Sequence, residues 1–148
     1  MKGRRKPWGY FDTSVLVKRY IDETGSDQAK GLLTKYRVIS SRVALIEAAS
    51  TFRRRRDSGD LHVRHFNAIL KRFDADRSYL ELIEPTRAVL DRAEKLARES
   101  KVRSLDAIHI ASILCFNDSI DSRTTFFTAD KDQRHVAEEL TLDVIFVG

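Results

Sequence analysis

Short apolar, β-branched or aromatic segments alternate with longer segments whose apolar residues recur at helical spacing, and this alternation runs the length of the 148-residue chain. Four segments read as strands: residues 8–12, ending in Asp12; residues 37–40; residues 124–128 (TTFFT); and residues 142–147 (LDVIFV). A fifth, residues 80–84 (LELIE) before Pro85, reads as a strand or as the tail of a helix. Between them Leu45, Ala48, Ala49 and Phe52 repeat at i, i+3, i+4, i+7, and Phe66, Ile69, Leu70 and Phe73 do the same. Val89, Ala93, Leu96 and Ala97 form a third stripe, opened by Pro85-Thr86 as a cap. Residues 105–116 are apolar on nearly every side apart from Asp106, His109 and Ser112, the pattern of a buried helix. Strands separated by helices cannot pair through tight hairpins. They call for an α/β domain with a mostly parallel sheet. Such sheets bind ligands beyond the C-terminal ends of their strands, and chemistry is expected there.

The length suits one domain. The expected division is a basic tail over residues 1–9 and a single domain over residues 10–148. The single cysteine, Cys115, excludes an internal disulfide framework and reads as a buried small hydrophobe in a reducing compartment. No Cys/His spacing suggests zinc. The basic start has no apolar run behind it, and no stretch approaches the ~18 apolar residues that span a bilayer. A soluble cytoplasmic protein with no membrane association is expected. The formal net charge is +5, mild evidence for a polyanionic partner. Lys2, Arg4, Arg5 and Lys6 form one basic group and Arg53 to Arg56 another; each also reads as a solvated tail or face.

Four carboxylates stand where the pattern expects apolar or structural residues. Asp12 and Asp130 end strand segments, Asp106 opens the apolar helix, and Glu47 interrupts VALIEAA. Burying an isolated carboxylate costs several kcal/mol or more unless something compensates it. Each has a plain structural reading as well. Asp12 and Asp130 suit helix N-caps, Asp106 suits a first helical turn, and Glu47 lies opposite the Leu45/Phe52 stripe and so suits a water-facing position. Together they differ, because two strand ends and a helix start meet at one edge of an α/β sheet. Carboxylates gathered there repel one another, and a hard divalent cation with oxygen ligands, Mg²⁺ or Mn²⁺, removes that repulsion.

At these residues the chain resembles the PIN-domain family, and more narrowly the VapC toxin ribonucleases of toxin–antitoxin systems. The likeness rests on Tyr10-Phe11-Asp12-Thr13-Ser14, then Ser41-Arg42-Val43-Ala44-Leu45-Ile46-Glu47, then Ser104-Leu105-Asp106-Ala107-Ile108-His109-Ile110-Ala111, then Phe127-Thr128-Ala129-Asp130-Lys131-Asp132. Their order and spacing carry it across nearly the whole chain. The resemblance implies a three-layer α/β/α sandwich with a mostly parallel central sheet. It implies an Mg²⁺- or Mn²⁺-dependent endoribonuclease, frequent homodimers, and a cognate antitoxin protein as partner. By position, Asp12, Glu47, Asp106 and Asp130 match the catalytic and metal-binding acids. Asp132 is an additional acid, or a first-turn helix charge. Ser14 and Thr128 are hydroxyls that hydrogen-bond the cluster or cap a helix. His109 falls on the helical face of Asp106; hard cations favour oxygen, so packing or a hydrogen bond is its expected role.

The reaction expected is in-line hydrolysis of an RNA phosphodiester, with Asp12 and Asp106 as principal ligands and Glu47 and Asp130 completing the set. Arg42, Arg53 and Arg54, on or beside the helix of Glu47, are the candidate RNA-binding residues. Single-stranded or looped RNA suits a compact site better than a duplex. The rival classes are a non-catalytic RNA-binding or regulatory module on the same fold, a housekeeping PIN nuclease, and a phosphoryl-accepting receiver domain. The last wants paired acids early and a Lys after a late strand, where this chain has Asp12 alone and Asp130.

Overall fold

The computed structural model describes residues 5–148, so Met1 to Arg4, with Lys2 and Arg4 of the first basic group, lie outside the described residues. Five strands form one sheet: β1 (Trp8–Phe11), β2 (Arg37–Ser41), β3 (Glu81–Ile83), β4 (Thr125–Thr128) and β5 (Val144–Phe146). Their order is β3-β2-β1-β4-β5, and every neighbouring pair is parallel. Tyr10 pairs in register with Ile39 on one flank and with Phe126 on the other. The helices are α1 (Thr13–Leu16), α2 (Ser26–Lys35), α3 (Val43–Asp57), α4 (Val63–Asp76), α5 (Arg87–Glu99), α6 (Ser104–Ile120) and α7 (Lys131–Glu139).

Strand alternation sends successive side chains to opposite faces. Tyr10 and Phe126 face a core built with Val89, Ala93 and Leu96 of α5, Ile110 and Ile113 of α6, and Val136 of α7. Phe11 and Phe127 face the other way, onto Val15 and Leu16 of α1, Ala29 of α2 and Ala44 of α3, and their own rings stack at 4.3 Å. Helices therefore cover both faces, giving the three-layer α/β/α sandwich that the family resemblance implies. The α3–α4 pair closes a separate cluster in which Phe52, Phe66 and Phe73 are core residues packed with Val17 and Ile21. Thr86 caps α5 by accepting from the Val89 amide at 3.3 Å, as its position after Pro85 predicts.

Three details depart from or sharpen the sequence reading. Residues 80–84 resolve as the edge strand β3, with Leu82 beside Ser40 of β2. Trp8 and Gly9 belong to β1, so the fold starts ahead of a boundary at residue 10. The Arg37 guanidinium sits 3.6 Å from the Trp8 ring centroid, and the ring meets Phe116 edge-on. Helix α6 is also not buried all round. Its inner face carries Ala107, His109, Ile110, Ala111, Ser112 and Ile113, while Leu105 and Ile120 are 43% and 39% exposed. It lies in an outer layer beside α5, so only one face meets the sheet, and Cys115 is half-buried. Among the described residues no helix is long and apolar enough to cross a membrane.

The chain builds outward from β1 through β2 to β3, then returns to place β4 on the other side of β1. The switch point lies between β1 and β4, and a crevice opens at the C-terminal ends of strands at such a point. Asp12 and Asp130 follow those two strands.

Candidate active site

Asp12 directly follows β1 and is 2% exposed. Its Oδ1 accepts from the Val15 amide at 3.2 Å, which caps α1, and from Ser14 Oγ at 2.5 Å. Its Oδ2 accepts from Thr128 Oγ1 at 2.6 Å. Asp130 caps α7 by accepting from the Gln133 amide at 2.8 Å. Capping and membership of an acidic cluster are therefore compatible in both residues. Ser14 Oγ in turn accepts from the Ala129 amide at 3.0 Å, and Thr128 Oγ1 accepts from the Asp130 amide at 3.0 Å. These two hydroxyls tie the end of β1 to the end of β4 and hold Asp12 in one rotamer.

Asp106 lies in the first turn of α6, and Glu47 lies on α3. All four acids line one cavity of about 340 Å³, with Ser14, His109 and Gln133 among the other lining residues and Ile46 and Leu105 as apolar lining residues. Ile46 is 74% exposed and Leu105 43%. Glu47 does not face water: its side chain is 19% exposed and engaged with Thr13 and His109. Asp132 is not brought to the cavity. It is exposed in the first turn of α7, so its helix-charge reading holds. The arginines also separate. Arg42 pairs with Glu84 at 2.6 Å and Arg53 with Asp57 at 2.8 Å, whereas Arg54 lines the cavity.

The electrostatics follow from this crowding. Burial pushes the Asp12 carboxyl up, against the lowering effect of His109 and of the hydroxyls of Ser14 and Thr128. Asp106 is pushed up to about 6, first by burial and then by the charges of Asp130 and Asp12, with Glu47 adding to them. Burial acts on Glu47 in the same direction, but the hydrogen bond and charge of His109, with the Thr13 hydroxyl, outweigh it and hold Glu47 below the usual carboxylate range. One acid is thus fixed in its ionised form beside another that resists ionisation.

The residue that sequence reasoning undervalued is His109. It is 1% exposed. Its Nε2 lies 2.7 Å from Glu47 Oε1 and 3.1 Å from Thr13 Oγ1, and its Nδ1 lies 2.7 Å from the Tyr10 hydroxyl. An ionised carboxylate only accepts, so Nε2 carries the proton and donates to Glu47. Thr13 Oγ1 donates to the same Oε1 at 2.8 Å. The hydrogen-bond role expected of His109 is the one observed, with both ring nitrogens engaged. The three-residue offset from Asp106 was its only sequence signal. Tyr10 and Thr13 gave none, because a Tyr in an apolar strand and a Thr after Asp12 have ordinary structural uses. Gln133, 1% exposed, was also missed; its Nε2 donates to the Asp106 carbonyl at 3.3 Å.

Among the described residues no group of three or more His, Cys, Asp or Glu side chains is spaced to hold an ion directly. The donor set still fits a hard cation. It is all oxygen, its like charges raise Asp106, and Mg²⁺ is usually held by one or two carboxylates with several waters retained. Glu47 Oε1 is already engaged with His109 and Thr13. Asp12 likewise accepts from Ser14 and Val15 at Oδ1 and from Thr128 at Oδ2, but an ionised carboxylate has about four lone-pair sites, so acceptor capacity remains on all four acids.

A family model described as the PIN domain matches residues 9–139. Two curated relatives from Mycobacterium tuberculosis are 32% identical over 76% of this chain and 78% of theirs: Ribonuclease VapC45 of strain CDC 1551 / Oshkosh and Ribonuclease VapC49 of strain ATCC 25618 / H37Rv. Among solved structures, a chain of a toxin–antitoxin complex from Klebsiella pneumoniae superposes with a TM-score of 0.65 at 17% identity, over 95% of this chain and 98% of that one. That likeness is one of fold.

Proposed function

The chain belongs to the PIN-domain family, and from that premise we propose that it is a metal-dependent endoribonuclease, the toxin of a toxin–antitoxin pair. The observation that carries the reading is the cavity at the switch point between β1 and β4. There Asp12, Glu47, Asp106 and Asp130 meet, and burial together with the charges of the other acids lifts Asp106 to about 6. A structural role has no use for that arrangement, and it lowers stability at neutral pH.

Mg²⁺ or Mn²⁺, when bound, would neutralise the carboxylates, draw in a phosphodiester and supply an acidified water for in-line attack. Asp12, Asp106 and Asp130 would hold it. Asp12 is already oriented by Ser14 and Thr128, so little rotamer freedom remains to be lost on binding. Glu47, kept ionised by His109, is suited to orient a water through its second oxygen and to take up a proton from it. With its carboxyl at about 6, Asp106 is mostly ionised at neutral pH and protonated in mildly acid solution, where loading of the site would have to displace that proton. The departing 3′ or 5′ oxygen needs a proton, and the rim of the cavity is open to water.

The same proposal includes a cognate antitoxin, a homodimer and a cytoplasmic site of action. The two relatives' names say ribonuclease, and the fold neighbour is described as part of a toxin–antitoxin complex. Incubation with parallel single-stranded RNA and DNA pools, with Mn²⁺ and with chelator, tests the activity. Internal cleavage of RNA only with Mn²⁺, lost in Asp12→Asn, is expected. Uncut RNA at millimolar Mn²⁺ from folded wild type would leave the binding-module reading.

A further inference from the structure

The acidic cavity has a basic end. Helix α3 presents Glu47, Ser50, Thr51 and Arg54 to the same cavity, at i, i+3, i+4 and i+7, one face of a helix. Glu47 and Arg54 are therefore about 10 Å apart along the helix axis. Arg54 is the one Lys or Arg among the described residues lining the cavity.

The arginine run of α3 reads first as helix C-terminal charge complementing the helix dipole, and most of it has settled partners. Arg53 pairs with Asp57 at 2.8 Å. Arg55 reaches Glu23 at 3.2 Å and Asp60 at 3.1 Å. Arg56 pairs with Asp57 at 3.0 Å and lies 4.5 Å over the Phe66 ring. Arg54 differs. Among the described residues its Nη1 and Nη2 donate only to neutral hydroxyls, Ser50 Oγ and Thr51 Oγ1, both at 3.3 Å. These bonds are long and uncharged, and weaker than a charge-assisted bond to an oxyanion. A phosphate oxygen offered to Arg54 would gain the guanidinium, and the two hydroxyls, which only accept from Arg54, have their own O–H groups to donate alongside it. No carboxylate partner has to be given up first, as it would be at Arg53, Arg55 or Arg56.

We propose that Arg54, with Ser50 and Thr51, forms a subsite for one phosphodiester oxyanion flanking the scissile phosphate of a single RNA strand. This rests on the nuclease reading of the acidic end. The subsite supplies the attraction that a cluster of carboxylates denies a polyanion. It also fixes the direction of the strand, which runs along α3 from the acids toward the helix C-terminus. Phosphate contacts position a strand without reading its bases, so the subsite sets affinity and register and leaves base preference alone.

The test compares Arg54→Gln with Arg87→Gln, which removes the same charge from the exposed start of α5. Binding of a labelled single-stranded RNA is followed by fluorescence anisotropy in the Asp12→Asn background, where the strand stays intact, from 50 to 300 mM salt. Cleavage kinetics are followed separately in otherwise wild-type protein with Mn²⁺. Arg54→Gln should weaken binding about tenfold, ~1.4 kcal/mol. It should flatten the log–log salt slope by about 0.7, the contribution of one phosphate contact to a single strand. It should raise KM with kcat nearly unchanged. The double variant Ser50→Ala/Thr51→Ala should weaken binding by a smaller factor at an unchanged slope. Arg87→Gln should change none of these. Equal affinities and salt slopes for Arg54→Gln and its parent would overturn the subsite, whether or not the wild type cleaves RNA. Intact RNA after incubation of the wild type with Mn²⁺ would overturn the nuclease reading instead, and with it the role of flanking the scissile phosphate.

Discussion

His109 Nε2 donates to Glu47 Oε1 across 2.7 Å, while the opposite ring nitrogen is held by the Tyr10 hydroxyl at the same distance. The Tyr10 ring lies in the core of the sheet, so a buried strand residue sets the orientation of a cavity carboxylate through an imidazole. His109→Leu removes the donor and leaves both the Tyr10 hydroxyl and Glu47 short of a partner. Removing one partner of a buried hydrogen bond costs about 1–3 kcal/mol, and thermal unfolding should register a loss of that order. His109→Gln keeps an amide donor at a similar reach. It should recover Mn²⁺ affinity, measured by calorimetry, and cleavage more fully than it recovers stability. A Leu variant that binds Mn²⁺ as well as the wild type would remove His109 from the site and leave it a core residue.

Asp106 makes a prediction about pH in metal-free protein. Its folded pKa of about 6 lies above the ~3.9 of an unfolded Asp. Between those values the folded state binds the extra proton. The native state is therefore favoured at low pH and loses that advantage as pH rises through about 6. Asp106→Asn removes the penalty. Its melting temperature should exceed the wild type's at pH 7.5, and the two should converge below about pH 4. Millimolar Mn²⁺ should reverse the order by stabilising the wild type more, since a ligand that binds only the folded state raises its stability by mass action. Equal curves for the two proteins across the pH range would mean that neither burial nor the neighbouring acids raise Asp106 in the folded protein.

Much of this was legible in the chain because it depends on periodicity. The α5 stripe, the aromatic TTFFT strand and the two aspartates at strand ends each follow from local pattern, and the strand–helix alternation leads to a parallel sheet. Helix α2 was missed, although Ala29, Leu32 and Leu33, with Tyr36 just past its end, stand at i, i+3, i+4, i+7 and pack against the cluster of Phe11 and Phe127; the stripe is short, and only Ala29 of it is fully buried. Helix α7 buries just Gln133, Val136 and Ala137, one of them polar. The acids were visible individually, as were the Ser14 and Thr128 hydroxyls that donate to Asp12, whereas the network around Glu47 was not. Thr13 and Glu47 are 34 positions apart, and Tyr10 and His109 are 99. No local spacing encodes such pairs; only the fold creates them.

Gly9 tests the packing beneath the site. A Cβ built there would lie 2.9 Å from the Phe127 ring and 3.0 Å from the rings of Phe11 and Tyr36. Phe11 and Phe127 stack beside it and lie next to Asp12 and Thr128 in the chain. Gly9→Ala has to push those rings apart, and overpacking of this kind costs about 1–3 kcal/mol. Because the displaced residues precede Asp12 and Thr128, the Asp12–Thr128 hydrogen bond should loosen as well. The expected result is a lower melting temperature together with weaker Mn²⁺ binding. Gly31→Ala, where an added Cβ meets nothing within 4 Å, is the control and should be neutral or slightly stabilising in α2. Equal melting temperatures for the two alanine variants would show that the rings move aside freely.

The cavity also predicts how the proposed toxin is restrained. It gathers four carboxylates whose charges act on one another, and Ile46 and Leu105 stand exposed among its lining residues. A planar guanidinium suits such a place. It forms paired bonds to carboxylates, carries a permanent charge and occupies the position a cation would take. An inhibitor that inserts one Arg among Asp12, Asp106 and Asp130 and lays an apolar side chain on Ile46 and Leu105 would block metal and RNA together. Wild-type protein expressed alone in a bacterial host should arrest growth, Asp12→Asn should not, and co-expression of the cognate antitoxin should restore it. In the purified complex, replacing that inhibitor Arg with Lys should weaken inhibition more than replacing a surface Arg elsewhere in the inhibitor. Ile46→Asp should weaken the complex while the free enzyme still cleaves. Full inhibition by an antitoxin with no cationic side chain in the cavity would place the block at the substrate's entry path, away from the acids.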